Sequence, residues 1–357
     1  MKRSFGIDLV RTVSIILVIA RHYGFTKGFN YGYYGIEFLF VVSGFLIGQI
    51  LFNDFYSSDK IEISSLKRFM IRRWFRILPL YYLAILLRFA FDHSIGWNIF
   101  YYIFFLQNHF YGITFYPETW TLVIDEWFYL IIPVILFLFM RFVSFEKNAV
   151  AYFIIGIIVV INLLRILWVS KSNTPFEGLV GNVPFRQDTL LIGVLLAYSK
   201  MKFKNLFSKM NSIPFCIIAF LALIIYISII YFIRIPDDTI NNYFWTRTIN
   251  FLLTSVVIAS TLPFIENSIT PFKIKPLNIF NLIIVWGSKL SYSLYLFHSE
   301  VYRFSKFLFS SLSASALFIK LLALTFTVVI CYFLYQFFEK KFLILRDKYF
   351  PDKPYFT

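Results

Sequence analysis

The stretch IDLVRTVSIILVIARHYG, Ile7 to Gly24, decides how the rest of the chain is read. It is an apolar run of bilayer length, yet it carries Asp8, Arg11 and His22. A helix turns about 100° per residue. Arg11 and His22, eleven positions apart, therefore differ by about 20° after three full turns. They share one stripe and stand roughly 16 Å apart along the axis at about 1.5 Å per residue. Asp8 lies three residues before Arg11, on the same side and close enough to pair with it. Ionisable groups inside a membrane are costly and face an interior path or a partner. The spacing predicts a spanning helix with a charged pair near one end and an imidazole near the other, both facing inward.

Composition fits that reading. Of 357 residues, 59% are hydrophobic, 22% aromatic and only 15% charged, against about 25% charged in a soluble domain. The fold class expected is all-α: a polytopic membrane protein with little outside the bilayer. The net charge of +15 falls in short clusters between apolar runs, the pattern of positive-inside loops and anionic headgroups. Membrane lipids, not nucleic acid, are the partners this implies. Cys216 and Cys331 sit in apolar runs and read as packing residues. Lys2 and Arg3 resemble the start of a signal peptide, but Asp8 and Arg11 interrupt the apolar core, so no cleavage is expected. One transmembrane domain over 1–345 is expected, with a short cytosolic tail at 346–357.

Spans of about 17–25 residues are expected at Ile7–Gly24, Tyr33–Phe52, Trp74–Phe91, Leu122–Met140, Ala149–Val169, Thr189–Tyr198 extended at both ends, Ile213–Ile233, Ile249–Ile265, Ile279–His298 and Ala314–Phe338. Lys2 and Arg3 put the N-terminus in the cytosol, as Lys60, Lys67, Arg68, Arg72 and Arg73 do the loop after the second span. Lys340, Lys341, Arg346 and Lys348 put the C-terminus on the same side. Counting back, Lys273/Lys275 and Lys200/Lys202/Lys204/Lys209 agree only if Trp97–Tyr111 does not cross. Ten crossings result, with that segment re-entrant or interfacial.

This topology sorts the polar residues into two layers. Asp8, Arg11, Arg72, Arg73, Arg76 and Glu339 fall near the cytosolic face. His22, Glu37, Asp125, Glu126, Arg186, Asp188 and His298 fall nearer the outer face. A histidine takes and returns protons near neutral pH, so His22 is a candidate base; a plain buried histidine is the alternative. Arg73 and Arg76, at i and i+3, suit one phosphate ligand, although headgroup snorkelling also accounts for them. Gly35, Ser43, Gly44 and Gly48 fit close helix packing. Glu37 needs a partner or a wet cavity. Asp125 and Glu126 point about 100° apart, so at most one faces the core stripe squarely; one can pair with His22 or Arg186. Arg186 and Asp188 read equally as an interfacial ion pair. His93 and His109 read as interface histidines. No metal-ligand spacing, nucleophile elbow or Walker loop is present.

In chain order, DLVRTVSIILVIARH, GIEFLFVVSGFLI, RRWFRILPLYY, WTLVIDEWFYL, RQDTLLIGVLLAY, LSYSLYLFH and YQFFEKKF resemble the blocks of the membrane acyltransferase 3 family. Its best-known members O-acylate bacterial cell-envelope sugars. Three positions depart from the pattern: Glu37 replaces the commoner Asp, Asp125 replaces a Glu, and Lys340 stands where Pro is usual. No C-terminal hydrolase-like domain follows, so the resemblance is to the stand-alone form.

The resemblance implies an acyl-CoA donor, most simply acetyl-CoA, approaching from the cytosol, and a cell-envelope glycan or lipid-linked sugar as acceptor in a bacterial inner membrane. Arg11, Arg73 and Arg76 would hold the nucleotide phosphates. His22 would be the base, oriented by Asp125 or Glu126, with a covalent acyl-histidine left open. Asp8, Glu37, Ser43, Arg186, Asp188 and His298 would support or contact substrate. No bound cofactor or metal is expected. The rival is a transporter or flippase for a lipid-linked glycan. Transporters often carry internal repeats, and none is seen here.

Overall fold

The computed structural model describes residues 4–26, 30–56, 62–111, 114–142, 147–234, 239–273, 277–309 and 315–351. Four cations used to assign sidedness, Lys2, Arg3, Lys60 and Lys275, lie outside the described residues, as does the end of the expected tail. Among the described residues the chain is helical and forms no strand. In order, the helices are α1 (Phe5–His22), α2 (Tyr31–Tyr56), α3 (Ile63–Phe91), α4 (Ile99–Ile103), α5 (Trp120–Phe142), α6 (Lys147–Ser172), α7 (Phe176–Val180) and α8 (Val183–Lys202). Then come α9 (Lys204–Met210), α10 (Ile213–Arg234), α11 (Phe244–Arg247), α12 (Asn250–Ser268), α13 (Asn278–Leu308), α14 (Ala316–Leu334) and α15 (Lys340–Tyr349).

Eight helical stretches are long and apolar enough to cross a membrane, the last running from α14 through α15. The protein is therefore a multi-pass membrane protein. Two further helices, α1 with 18 residues and α8 with 20, have the length but carry the charged groups of the interior. They are among the most enclosed elements, whereas α10 turns Ile217, Ile218, Leu221, Ile224 and Ile225 outward. Polar groups go to the middle of the bundle because lipid cannot solvate them.

Segment 97–111 does not form a span. It is a five-residue helix, α4, followed by a π-turn over Gln107–Tyr111, with Phe105 between them at φ 56°. Tyr81 donates from its hydroxyl to the Tyr102 carbonyl at 2.7 Å, so the broken backbone finds partners inside the protein.

The contact between α2 and α8 rests on glycine. A Cβ on Gly44 would overlap the Leu190 carbonyl, and one on Gly193 would overlap that of Val41. Small residues let the backbones approach, as in other membrane helix pairs. α1 is laid against α13 in the same way: the Thr12 side chain fills the space over Gly287 and donates to the Ile284 carbonyl at 2.7 Å. Ser4 caps α1, accepting from the Ile7 amide at 3.4 Å. The Ser4 hydroxyl also donates to the Glu266 carbonyl of α12 at 2.9 Å, which ties the start of α1 to that helix.

Two expectations about boundaries change. α13 runs ten residues past His298, to Leu308, because no Gly or Pro falls between the two; His298 lies inside the helix rather than at its end. The tail expected from 346 begins within α15, whose basic residues continue the helix to Tyr349.

Candidate active site

Two cavities enter the bundle from opposite ends. One, about 360 Å³, is lined by Arg11, Arg72, Arg73, Arg76 and Arg346, together with Asp54, Asp125 and the hydroxyls of Ser43, Tyr129 and Ser291. The other, about 270 Å³, is lined by His22, Arg21, Asn30, Tyr33, Trp120, Phe176 and Glu177. Ile36 of α2 lines both. α1 contributes to both, with Arg11 in the basic cavity and His22 in the other.

At the histidine end, His22 Nδ1 is 2.5 Å from His298 Nε2. The rings are parallel, with 3° between planes and 4.7 Å between centroids. His298 is fully buried. Its Nδ1 lies 3.0 Å from the Leu294 carbonyl and 2.8 Å from that of Tyr295. Carbonyls only accept, so Nδ1 of His298 carries a proton. With neutral His298 its Nε2 is then an acceptor, and His22 Nδ1 donates to it. The remaining nitrogen, His22 Nε2, keeps its lone pair. His22 itself is accessible. A buried histidine thereby fixes the tautomer of an accessible one.

The supports of this pair come from around Trp120. Tyr295 donates to the Glu118 carbonyl at 2.9 Å and accepts from Thr121 at 2.7 Å. Tyr116 donates to the Leu296 carbonyl at 2.5 Å. The turn 117–119 is therefore tied to α13 one turn from His298. The carboxylate in electrostatic range of both histidines is Glu118, and its Oε2 is buried without a hydrogen-bond partner among the described residues.

The two acids expected beside His22 lie elsewhere. Asp125 lines the basic cavity and, like Glu126, acts electrostatically on Arg73. The partner that orients His22 is His298. The reason is depth along the helix: α5 starts at Trp120, so Asp125 and Glu126 lie about 7.5 and about 9 Å further along it, toward the arginines.

In and beside the basic cavity, three of the five serines of α13 hydrogen-bond ionic groups. Ser288 donates to Asp8 at 2.6 Å, Arg11 to Ser291 at 2.8 Å, and Ser293 to Glu339 at 2.7 Å. Ser43 and Tyr129 share a hydrogen bond of 2.7 Å. The Arg73 guanidinium lies 5.2 Å from the centre of the Tyr129 ring and 5.8 Å from that of Phe69. Aromatic faces hold the cation there while its edge stays open to the cavity.

Glu37, Arg186 and Asp188 do not reach either histidine's ring nitrogens. Arg186 and Glu37 form a fully buried ion pair, with the guanidinium 4.4 Å from the Phe251 ring centre. Asp188 pairs with Arg165 at 2.7 Å and accepts from Asn162 at 3.2 Å, again fully buried. The expected Arg186–Asp188 interfacial pair is replaced by these two separate pairs, which staple α8 to α2 and α6. Arg165 went unmarked in the sequence, though a lone Arg in VVINLLRILWV is the signal for a buried partner. Glu118 left a fainter trace, two residues before Trp120. Among the described residues no group of His, Cys, Asp and Glu could hold a metal ion.

Against known proteins, the model of a family described as an acyltransferase domain matches residues 4–336. A Staphylococcus aureus strain MRSA252 protein, named as an O-acetyltransferase by inference, is 28% identical, with 97% of this chain and 59% of the relative covered. The O-acetyltransferase OatA of S. aureus strain NCTC 8325 is 26% identical over 84% of this chain and 50% of its own length. The peptidoglycan O-acetyltransferase OatA of Listeria monocytogenes is 29% identical over 54% of this chain and 33% of its own length. The chain spans about half the length of the curated relatives it matches. No solved structure matches. With the family model covering nearly all of the chain, this protein belongs to the membrane acyltransferase 3 family.

Proposed function

We propose that the protein is an O-acetyltransferase that moves an acetyl group from cytosolic acetyl-CoA to a hydroxyl of a cell-envelope glycan. The observation that carries this reading is the pairing of an arginine-lined cavity at one end with a tautomer-fixed histidine at the other, with Ile36 lining both. Guanidinium forks suit phosphate oxygens, and Arg11, Arg73 and Arg76 would receive those of the nucleotide. The Arg11–His22 rise of roughly 16 Å along α1 is a length a pantetheine arm can follow. Relatives named for O-acetyl transfer, one of them to peptidoglycan, support the acetyl group and the glycan.

Chemically, His22 Nε2 takes the proton from the sugar hydroxyl. The oxygen attacks the thioester carbonyl, the carbon–sulfur bond breaks, and the thiolate takes a proton to leave as CoA. His298 receives the His22 Nδ1 hydrogen bond, which strengthens as His22 becomes cationic, in the manner of the orienting third group of a triad. Asp125 balances charge near Arg73. Both termini face the cytosol in this reading, and the His22 cavity opens outward.

The test is binding and turnover of labelled acetyl-CoA by purified protein. Wild type binds and consumes it; His22→Ala binds with wild-type affinity and turns over at least about 10²-fold more slowly. Turnover undiminished in His22→Ala would end the base assignment. No binding by wild type would end the donor assignment and bring the lipid-linked-glycan transporter forward.

A further inference from the structure

The mouth of the basic cavity holds a guanidinium from the far end of the chain. Arg346 of α15 lines the same cavity as Arg72, Arg73 and Arg76, ten residues beyond the last residue of the family match. α15 buries no side chain completely; it meets α3 through a Phe75–Phe350 ring contact, 5.9 Å between centroids, and through the polar contacts of Arg72. Arg72 donates to Asp347 Oδ1 at 3.1 Å and to the Phe350 carbonyl. Arg346 donates from Nε to the same Asp347 oxygen at 2.9 Å, with Nη2 2.8 Å from it.

Two guanidiniums, one from α3 and one from α15, thus converge on a single anionic oxygen at the cavity mouth. Counting these two, the cavity lining carries five guanidiniums against the two carboxylates Asp54 and Asp125, with Asp347 a third at the mouth. Such an excess of one sign in a walled cavity attracts a polyanion. Arg72 and Arg346 keep 13% and 17% of their side chains exposed, while Arg73 lies further in, over Tyr129.

We propose that Arg346 and Arg72 together bind a phosphomonoester, the 3′-phosphate of the CoA donor, where the Asp347 carboxylate now marks the position of one phosphate oxygen. The proposal rests on the donor reading above. The diphosphate then falls to Arg73 and Arg76, deeper along α3, and α15 becomes part of the donor site rather than a tail.

The experiment is a calorimetric titration of the full chain, in nanodiscs of zwitterionic lipid, with CoA and with 3′-dephospho-CoA. Wild type binds CoA about tenfold more tightly than the dephospho form, the gain expected of one charge-assisted contact. Arg346→Gln loses that preference while its affinity for 3′-dephospho-CoA stays at the wild-type level, which also reports an intact site. Lys348→Gln, the same charge change on the same helix but outside the cavity, keeps the preference. Equal wild-type affinity for the two ligands, or equal weakening of both by Arg346→Gln, overturns the assignment and leaves the donor reading standing. An effect of Arg346→Gln seen only with anionic lipid present assigns the guanidinium to headgroups and also overturns it. Absence of any CoA binding by wild type overturns both readings.

Discussion

His298 is held by two carbonyls of its own helix, at Leu294 and Tyr295, and this fixes what it can offer His22. Its Nε2 has no choice but to accept while neutral, so it acts on reacting atoms only through His22. Truncation should therefore act on the rate, not on donor binding. His298→Ala is expected to lower kcat by about 10²–10⁴-fold with CoA affinity unchanged, whereas His298→Gln, whose amide oxygen can accept, recovers part of the loss. Steady-state kinetics of acetyl transfer beside CoA titration checks this; a rise in KM with kcat intact would make His298 a binding residue instead. At the same scale, His22 and Arg11 were legible from sequence because both lie on a helix whose period is known. Neighbours contributed by other helices were not: the partner of His22 is 276 positions away, and the acids expected to support it, Asp125 and Glu126, lie toward Arg73 instead.

Among the elements, α2 and α8 decide how closely the interior is drawn together. Their contact is backbone against backbone at Gly44 and Gly193, and the Glu37–Arg186 pair bridges the same two helices. Any side chain at Gly44 must push α8 away. Gly44→Val is expected to cost about 1–3 kcal/mol, as overpacking does, seen as a lower melting temperature in detergent. Gly156 of α6, where an added Cβ would meet nothing within 4 Å, is the contrast. Gly156→Ala should be neutral or stabilising by up to about 1 kcal/mol, because it removes backbone freedom from the unfolded helix. Equal destabilisation by both would mean that the α2–α8 contact is looser than its geometry. That small residues in GIEFLFVVSGFLIG mark close packing was readable from composition; that α8 is the partner was not, since any of the other nine expected spans could have filled the groove.

For the molecule as a whole, the arrangement to test is sidedness. The ten crossings expected from the sequence would place α15 on the cytosolic side and α7 outside. The native cysteines, Cys216 and Cys331, are both buried, so background labelling should be low. Lys348→Cys and Glu177→Cys, both at exposed positions, are expected to react with a membrane-impermeant maleimide from opposite sides, the first only in inverted vesicles and the second in intact cells. Labelling of both from one side would remove a crossing and separate the two cavities' assignments.

The sequence by itself determined that this is an all-α, multi-pass membrane protein of the acyltransferase 3 family, and that Arg11 and His22 share a face. Those properties are local: hydrophobic length, charge between spans, and the turn per residue of one helix. Which groups meet was decided only by tertiary structure. Asp188 chose Arg165 over Arg186, Arg186 chose Glu37, His22 chose His298, and Arg346 entered the basic cavity from beyond the matched domain. An ion in a low-dielectric interior must find a partner, but several were available to each. The rotation of each helix about its axis, set by glycine contacts and serine hydrogen bonds between distant segments, selected among them.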